Sequence, residues 1–351
     1  MSCVLGIETT CDETACAVVE DRRIVRSNVI RTQIDLHERY GGVVPEIAAR
    51  AHIEWLNDIV AEAMNRAAVS SKDISGIAVA NCPGLVGCLL VGVSAAKALA
   101  YAWDKPLVGV NHVHAHLYAG CLIPHASANM AQSSAERLSP TLPALGLVIS
   151  GGHTTLFEVK TFNCLRRLGS TIDDAVGEAF DKVAAILQLG YPGGPLVEKL
   201  AQSGHAEAVT FPLSLLGKQS LDFSFSGLKT AVLYHVNGQR GTQRTCADLT
   251  GQQRADTAAA FERTVAEILE IKVRRAMEMI SPKSLIVGGG VSANRLIRGR
   301  LQRLADAAGI TLFLPAMEYC TDNAAMIAGL GAELLEQGYK ADLDLSAIAT
   351  A

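Results

Sequence analysis

The chain opens with short apolar runs at residues 4–9, 16–20 and 24–32, divided by brief polar turns. β-Rich runs joined in this way predict an antiparallel meander. Past Gly41 and Gly42, which mark a loop, the period lengthens. Ala48, Trp55, Leu56, Ile59 and Ala63 recur at helical spacing, and Pro45 opens that helix where a missing N–H costs nothing. Residues 74–80 read as a buried strand, 84–103 as a helix and 107–111 as a further strand. Alternating strand and helix predicts an α/β lobe around a largely buried sheet.

Residues 127–143 turn Ser/Ala-rich and lose all periodicity, as a surface loop near a lobe boundary would. The opening grammar then restarts, with a strand at 145–150, a turn at Gly151 and Gly152, and a return strand at 154–159. Helical patterns follow at 173–189, 254–280, 294–308 and 322–337, with strands at 284–287 and 311–314 between them. Two halves that each begin strand, turn, strand imply an internal duplication. The predicted fold is therefore the two-lobed actin-like ATPase and sugar-kinase (ASKHA) superfold, α/β in class, with duplicated lobes and a central cleft. The lobes are drawn at 1–130 and 131–351, the closing helices packing back on the first.

Composition narrows this picture. With 351 residues, 49% hydrophobic and 19% charged, the chain can bury a large core, and wholesale disorder is excluded. Nine cysteines without a CxxC pair read as buried thiols of a reducing, cytoplasmic compartment. The start MSCVLGIETT enters a strand directly, without a cleavable leader. The most apolar stretch, 85–103, is interrupted by Lys97 and suits a buried helix better than a bilayer span. A net charge of −4 does not advertise nucleic-acid binding, so any such grip needs a local basic patch or a partner protein.

Four constellations carry candidate chemistry. In NHVHAH, at 111–116, a helix would put His112 and His116 on one face at the spacing that lets two imidazoles meet one cation. His114 would then point away, whereas an extended segment would align all three histidines; ordinary junction histidines are the plain alternative. No HExxH glutamate follows, so a third ligand must come from elsewhere. In CTDNAAMIAG, at 320–329, Asp322 stands where a helix begins and reads as its N-cap, with Asn323 equally placed.

Glycine clusters at the ends of strands, SGGH, YPGGP and VGGGVSANR, place backbone N–H groups where phosphate can approach. Neither a Walker A sequence nor GxGxxG is present, which disfavours P-loop and Rossmann enzymes. Two acidic segments complete the set: ETTCDET, with Glu8, Asp12 and Glu13 in the first turn, and DDAVGEAFDK, where Asp174, Glu178 and Asp181 would share a helix face, solvated or cleft-lining. Arg295, Arg298 and Arg303, and separately Lys272, Arg274 and Arg275, form basic clusters that read as phosphate contacts or solvated side chains.

Taken together, GIETTCDETACAVV, YGGVVPEIAARAH, NHVHAH, SGGHTTL, DDAVGEAFDKVA, YPGGP, DFSFSGLKTA, GGGVSANR and CTDNAAMIA resemble, in order, the motifs of the TsaD family of tRNA N6-adenosine threonylcarbamoyltransferases. The resemblance spans residues 3–338. It implies transfer of a threonylcarbamoyl group from threonylcarbamoyl-AMP to the N6 amine of the adenosine 3′ of the anticodon, in tRNAs reading codons that begin with adenine. The products would be t6A and AMP. It implies a divalent metal, Fe2+ first and Zn2+ second, on His112, His116 and Asp322, against the capping role the residues alone give Asp322. It implies adenylate contacts from Val148, Ile149, Ser150, Gly151, Gly152, Asp181, Gly194 and Asn294, and puts Asp12 and Glu13 near the reaction centre as candidate acid or base. It further implies a TsaB-like paralogue and a TsaE-like ATPase as partners, and no membrane. The rival readings are an ATP-dependent small-molecule kinase of the same superfold, a secreted metalloprotease and a non-catalytic scaffold.

Overall fold

In the computed structural model, which describes residues 2–40, 42–124, 139–238 and 245–350, the opening runs pair as the expected meander. Strand β1 (Cys3–Glu8) lies antiparallel to β2 (Glu13–Glu20), and β2 antiparallel to β3 (Ile24–Thr32). After a single helical turn, α1 (Ile34–His37), helix α2 (Pro45–Ala67) leads to β4 (Ile74–Cys82), α3 (Val86–Trp103) and β5 (Leu107–Asn111). Parallel pairing of β1 with β4 and of β4 with β5, and a two-residue strand β6 (Ile123–Pro124) beside β3, give the sheet order β5-β4-β1-β2-β3-β6.

The second sheet repeats the plan. Its strands are β7 (Ala144–Ile149), β8 (Thr154–Thr161), β9 (Cys164–Ser170), β10 (Ser284–Gly288) and β11 (Thr311–Phe313). They stand in the order β11-β10-β7-β8-β9, with an antiparallel meander on one side of β7 and parallel strands on the other. Strand for strand this matches β5-β4-β1-β2-β3, so the duplication expected from two similar openings extends through five strands of each sheet. Strand β9 escapes a pattern search because its side chains are mostly exposed or half-buried and show no apolar alternation.

The chain divides into two compact units, Met1–Ser139 with Pro315–Ala351, and Pro140–Leu314. The Ser/Ala-rich stretch lies mostly outside the described residues, as does Gly41. In the first unit, alternation along β1 sends Leu5 and Ile7 into a core with Leu56, Ile59, Val93 and Ala96 of α2 and α3. Gly6, between them, faces the closing helix α10 (Ala324–Glu336) so closely that a Cβ would stand 2.5 Å from the Ala324 carbonyl oxygen. Gly331 of α10 is similarly tight, its missing Cβ 2.3 Å from that of Ala78. Small residues on both elements thus seat α10 on the sheet. Helix α3 is long and apolar enough to cross a membrane, yet one face of it, including Leu89, Val93 and Ala96, is buried in this core.

In the second unit the sheet packs with α5 (Val176–Ile186), α6 (Gly193–Ala201), α7 (Ser226–Asn237), α8 (Gly251–Ile280) and α9 (Arg295–Ala308). Phe180 and Phe261 meet edge-on at 5.0 Å within its core.

Two sequence readings are corrected here. Helix α5 starts at Val176 and not at Asp173, because Asp173 is engaged elsewhere: its carboxylate accepts from the Ser224 hydroxyl and from the backbone N–H groups of Phe225 and Ser226 at the start of α7. Asp174 pairs with Lys182 and Lys229, and Glu178 with Lys182, so this acidic run is largely neutralised by neighbouring cations. Of the Lys272 cluster only Arg274 is an exposed, solvated side chain. Lys272 is fully buried and donates to the carbonyls of Leu215 and Ser220, Arg275 donates to those of Gly217 and Ser220, and Arg274 pairs with Glu270.

Candidate metal centre and glycine loops

Strand β5 ends at Asn111, whose side chain accepts from the His114 backbone N–H and so caps the helix α4 (His112–Tyr118). The helical alternative for NHVHAH therefore holds. His112 and His116 stand one turn apart with ring centroids 4.7 Å apart and planes at 79°, while the half-buried His114 lies outside the cluster. From the other end of the unit, residue 322 arrives just before α10. The cap of α10 is Asn323, which accepts from Met326 N–H at 3.0 Å and donates to the carbonyls of Tyr319 and Thr321. Asp322 is not the cap that local sequence suggests. Its Oδ1 lies 3.2 Å from His116 Nε2 and 3.5 Å from His112 Nε2.

These three ligand atoms lie within 4.8 Å of one another. Ligands about 2.1 Å from a cation in tetrahedral or octahedral array stand roughly 3.0–3.4 Å apart, so the two separations from Asp322 suit one shared ion. A second observation agrees. Both ring nitrogens of His116 are buried without a hydrogen-bond partner among the described residues, an arrangement that costs free energy unless a cation uses the lone pair.

Glu8, at the end of β1, completes the centre. It is fully buried, its Oε1 accepts from Thr10 N–H at 2.6 Å, and its Oε2 lies 2.9 Å from His112 Nδ1. A carboxylate at Nδ1 keeps the proton there and leaves Nε2 as the lone-pair donor that faces Asp322. Burial alone would lower the His112 pKa, but Glu8 and Asp322 outweigh it and push it up to about 9, so a cation must displace a proton. The acidic turn is adjacent. Burial, then Asp322 and Asp12, raise the Glu13 pKa far above the carboxylate range, and its side chain hydrogen-bonds to Asp12.

The glycine loops of the second unit gather at the ends of β7 and β10, which run parallel with Gly288 opposite Val148. Val148 and Ile149 are buried at the end of β7, and Ser150, Gly151 and Gly152 form the following turn. Gly177 N–H at the start of α5 donates to the Ser150 carbonyl, and a Cβ on Gly177 would meet that oxygen at 2.7 Å. Gly289 has φ +94, and its Cβ would stand 2.5 Å from the Ile149 carbonyl oxygen. Asp181 accepts from the backbone N–H groups of Gly193 and Gly194 at the start of α6. Open space surrounds the Cβ positions of Gly151, Gly152 and Gly194. Asn294 caps α9 by accepting from Ile297 N–H and donates to Glu262 at 2.6 Å. Burial pushes Glu262 up to about 7 against that hydrogen bond.

In the sequence Glu8 is only one of three acids, and nothing local marks Glu262, whose partner Asn294 lies at the start of another helix. The signal for Glu8 was its place at the end of a buried strand, where a charge requires a partner.

The repeated sheet plan and the His–His–Asp donor set define a two-lobed α/β protein of the actin-like superfold that carries a candidate divalent-metal centre. Among solved structures, T. kodakarensis HypF shares the fold at TM-score 0.60 and 15% identity, over 98% of this chain and 49% of that one, so this chain spans about half its length. The family model for TsaD, tRNA N6-adenosine threonylcarbamoyltransferase, matches residues 24–329. The Symbiobacterium thermophilum enzyme of that name is 48% identical over 345 residues, covering 98% of this chain and 95% of the relative. That of Anaeromyxobacter dehalogenans strain 2CP-1 is 47% identical over 348 residues, covering 99% and 98%. The chain belongs to the TsaD family.

Proposed function

We propose that the chain is a metal-dependent acyltransferase that moves the threonylcarbamoyl group from threonylcarbamoyl-AMP to N6 of the adenosine 3′ of the tRNA anticodon, in tRNAs that read codons beginning with adenine. The new bond joins N6 to the carbamoyl carbon, the bond from that carbon to the phosphate oxygen breaks, and AMP leaves. The observation that carries this reading is the buried donor set of His112, His116 and Asp322 beside an acidic turn, in a chain of this family.

The adenylate is already activated, so the protein's task is to orient it, receive a proton and stabilise developing charge. Residues 148–152, Asp181, Gly194 and the second amide hydrogen of Asn294 hold the adenylate in this reading. His112, His116 and Asp322 hold the metal, Fe2+ or Zn2+, which when bound polarises a carbonyl or phosphate oxygen. Asp12 takes the N6 proton, and Glu13, kept protonated by burial and its acidic neighbours, donates a hydrogen bond to Asp12 and keeps that carboxylate aligned. Substrate tRNA, a TsaB-like paralogue, a TsaE-like ATPase and a cytoplasmic location belong to the same proposal. The nine free thiols suit a reducing compartment. A kinase of the same superfold would hold Mg2+ through carboxylates and waters, and two imidazoles make a poor site for it.

The test is reconstitution with threonylcarbamoyl-AMP and unmodified tRNA, followed by mass analysis of the nucleosides. The wild-type chain should form t6A with release of AMP, and His112→Ala should not. Absence of t6A with every partner combination defeats the proposal.

A further inference from the structure

The segment YGGVVPEIAARAH leads into α2, and its final residue, His52, lies beneath the acidic turn. His52, Gln33, His37 and Thr14 are all buried and linked to one another. Their hydrogen bonds fix one another by exhaustion. The His52 Nε2 partner at 3.0 Å is the Cys11 carbonyl, which can only accept, so Nε2 carries the proton. In the neutral ring Nδ1 then accepts, and the Thr14 hydroxyl donates to it at 2.7 Å. Burial, the largest influence, lowers the His52 pKa and keeps the ring neutral against the opposing pull of that carbonyl.

The same logic runs outward. His37 Nδ1 accepts from Val44 N–H at 3.3 Å, so His37 Nε2 donates to Gln33 Oε1 at 3.1 Å. The Gln33 amide nitrogen is thereby turned toward the Ala48 carbonyl, and its backbone N–H donates to the Asp12 carbonyl at 2.9 Å. Two successive carbonyls of the turn, Cys11 and Asp12, are thus held by donors whose orientation nothing else in the network leaves open. A well-packed apolar filling could stabilise such a site as well as these polar groups do, and what polar groups add is a fixed arrangement.

We infer that His52 is a positioning residue: through the Cys11 carbonyl it sets the direction in which Asp12 and Glu13 present their carboxylates beside the metal centre. The inference rests on the reading of that turn as part of the reaction centre. It separates geometry from metal ligation, because the hydrogen bonds of His52 among the described residues run to Thr14, Gln33 and Cys11 and not to a candidate metal ligand.

The test compares His52→Leu, which fills the volume without a donor, with His52→Gln, whose amide can donate to Cys11 and accept from Thr14. Full-length chains are assayed for t6A formation from threonylcarbamoyl-AMP and unmodified tRNA, with metal content measured in parallel. The leucine variant should lose on the order of 10- to 100-fold in kcat with KM for the adenylate and metal content unchanged, since small misplacements cost rates of that size. The glutamine variant should recover to within about threefold of wild type, since it restores the oriented donor on which that rate depends. A folded leucine variant with wild-type kcat, or a glutamine variant as impaired as leucine, overturns the inference. If the leucine chain does not fold, nitrogen-15 NMR of the wild type decides: an Nε2–H tautomer at His52 sustains it, and an Nδ1–H tautomer overturns it. A wild-type chain that makes no t6A defeats the transfer reading itself, which is a distinguishable outcome.

Discussion

Replacing Glu8 by glutamine should damage metal binding at least as much as replacing it by alanine, although glutamine is the closer mimic in shape. The carboxylate accepts at both oxygens, from Thr10 N–H at 2.6 Å and from His112 Nδ1–H at 2.9 Å. A glutamine must keep its oxygen toward Thr10 N–H, since two N–H groups cannot face each other. Its amide nitrogen then points at His112 Nδ1 and donates to it, which moves the ring proton to Nε2, the atom 3.5 Å from Asp322 that the cation needs. Alanine removes the acceptor but imposes no tautomer, and the Thr10 hydroxyl, 3.3 Å from Nδ1, can serve in its place. Loss of a carboxylate behind a metal-bound histidine typically costs 10- to 100-fold in affinity, or about 1.4–2.8 kcal/mol. Alanine should fall in that range and glutamine at or beyond its upper end. Competition of the purified chain against a chromogenic chelator, with Zn2+ or Fe2+, measures this without reference to turnover. Equal affinity of wild type and Glu8→Gln would refute the tautomer argument, and the proposed ligand atom of His112 with it.

Other changes separate roles that look alike in sequence. Asn323→Ala should cost about 1–2 kcal/mol in urea unfolding through loss of the α10 cap, whereas Asp322→Ala should keep that cap and abolish cation binding by calorimetry. Glu262 has a folded-state pKa raised from 4.5 to about 7, so its contribution to stability is complete below the unfolded value and is lost as pH rises through the folded one. Glu262→Gln should therefore match wild type near pH 4.5 and exceed it in thermal stability above pH 7, by at most a few kcal/mol; a difference that shrinks with rising pH contradicts the assignment. Gly194→Ala should fold normally, because its Cβ meets open space, yet raise KM for the adenylate. Gly289→Ala, at φ +94 and against the Ile149 carbonyl, should lose more than about 2 kcal/mol of stability by denaturant titration.

What could be read from the chain before its structure follows from the range over which each feature is determined. The two meanders announce themselves because period-two alternation and turn residues are local, and an equal opening in each half was enough to indicate duplication. Strand β9, with the sequence CLRRLGS, carries no such pattern: its ladder to β8 holds it while all its side chains are exposed or half-buried. The helix of NHVHAH was undecidable from six residues, since the deciding group is the Asn111 side chain on His114 N–H. Asp322 and Asn323 stand side by side before a helix, and local sequence cannot say which caps it. That choice is made by His112 and His116 on α4, which converge with Asp322 only once α10 has seated on the first sheet.

In the proposed reading the duplicated plan carries different chemistry in its two units. Both sheets place a strand-to-turn junction at the end of their central strand, β1 into residues 9–12 and β7 into residues 150–153. In the second unit that junction carries Gly151 and Gly152, leaving backbone N–H groups to serve a phosphate. In the first it carries Glu8, Asp12 and Glu13, and carboxylates at the same place favour cations and protons. One buried acid, Glu8, orients the candidate ligand His112, and the Glu13 side chain hydrogen-bonds to Asp12, with His52 holding the backbone between them. On the reading proposed above, a glycine turn in one unit and an acidic turn in the other separate an anion-binding loop from carboxylates that stand beside the candidate metal ligands His112, His116 and Asp322.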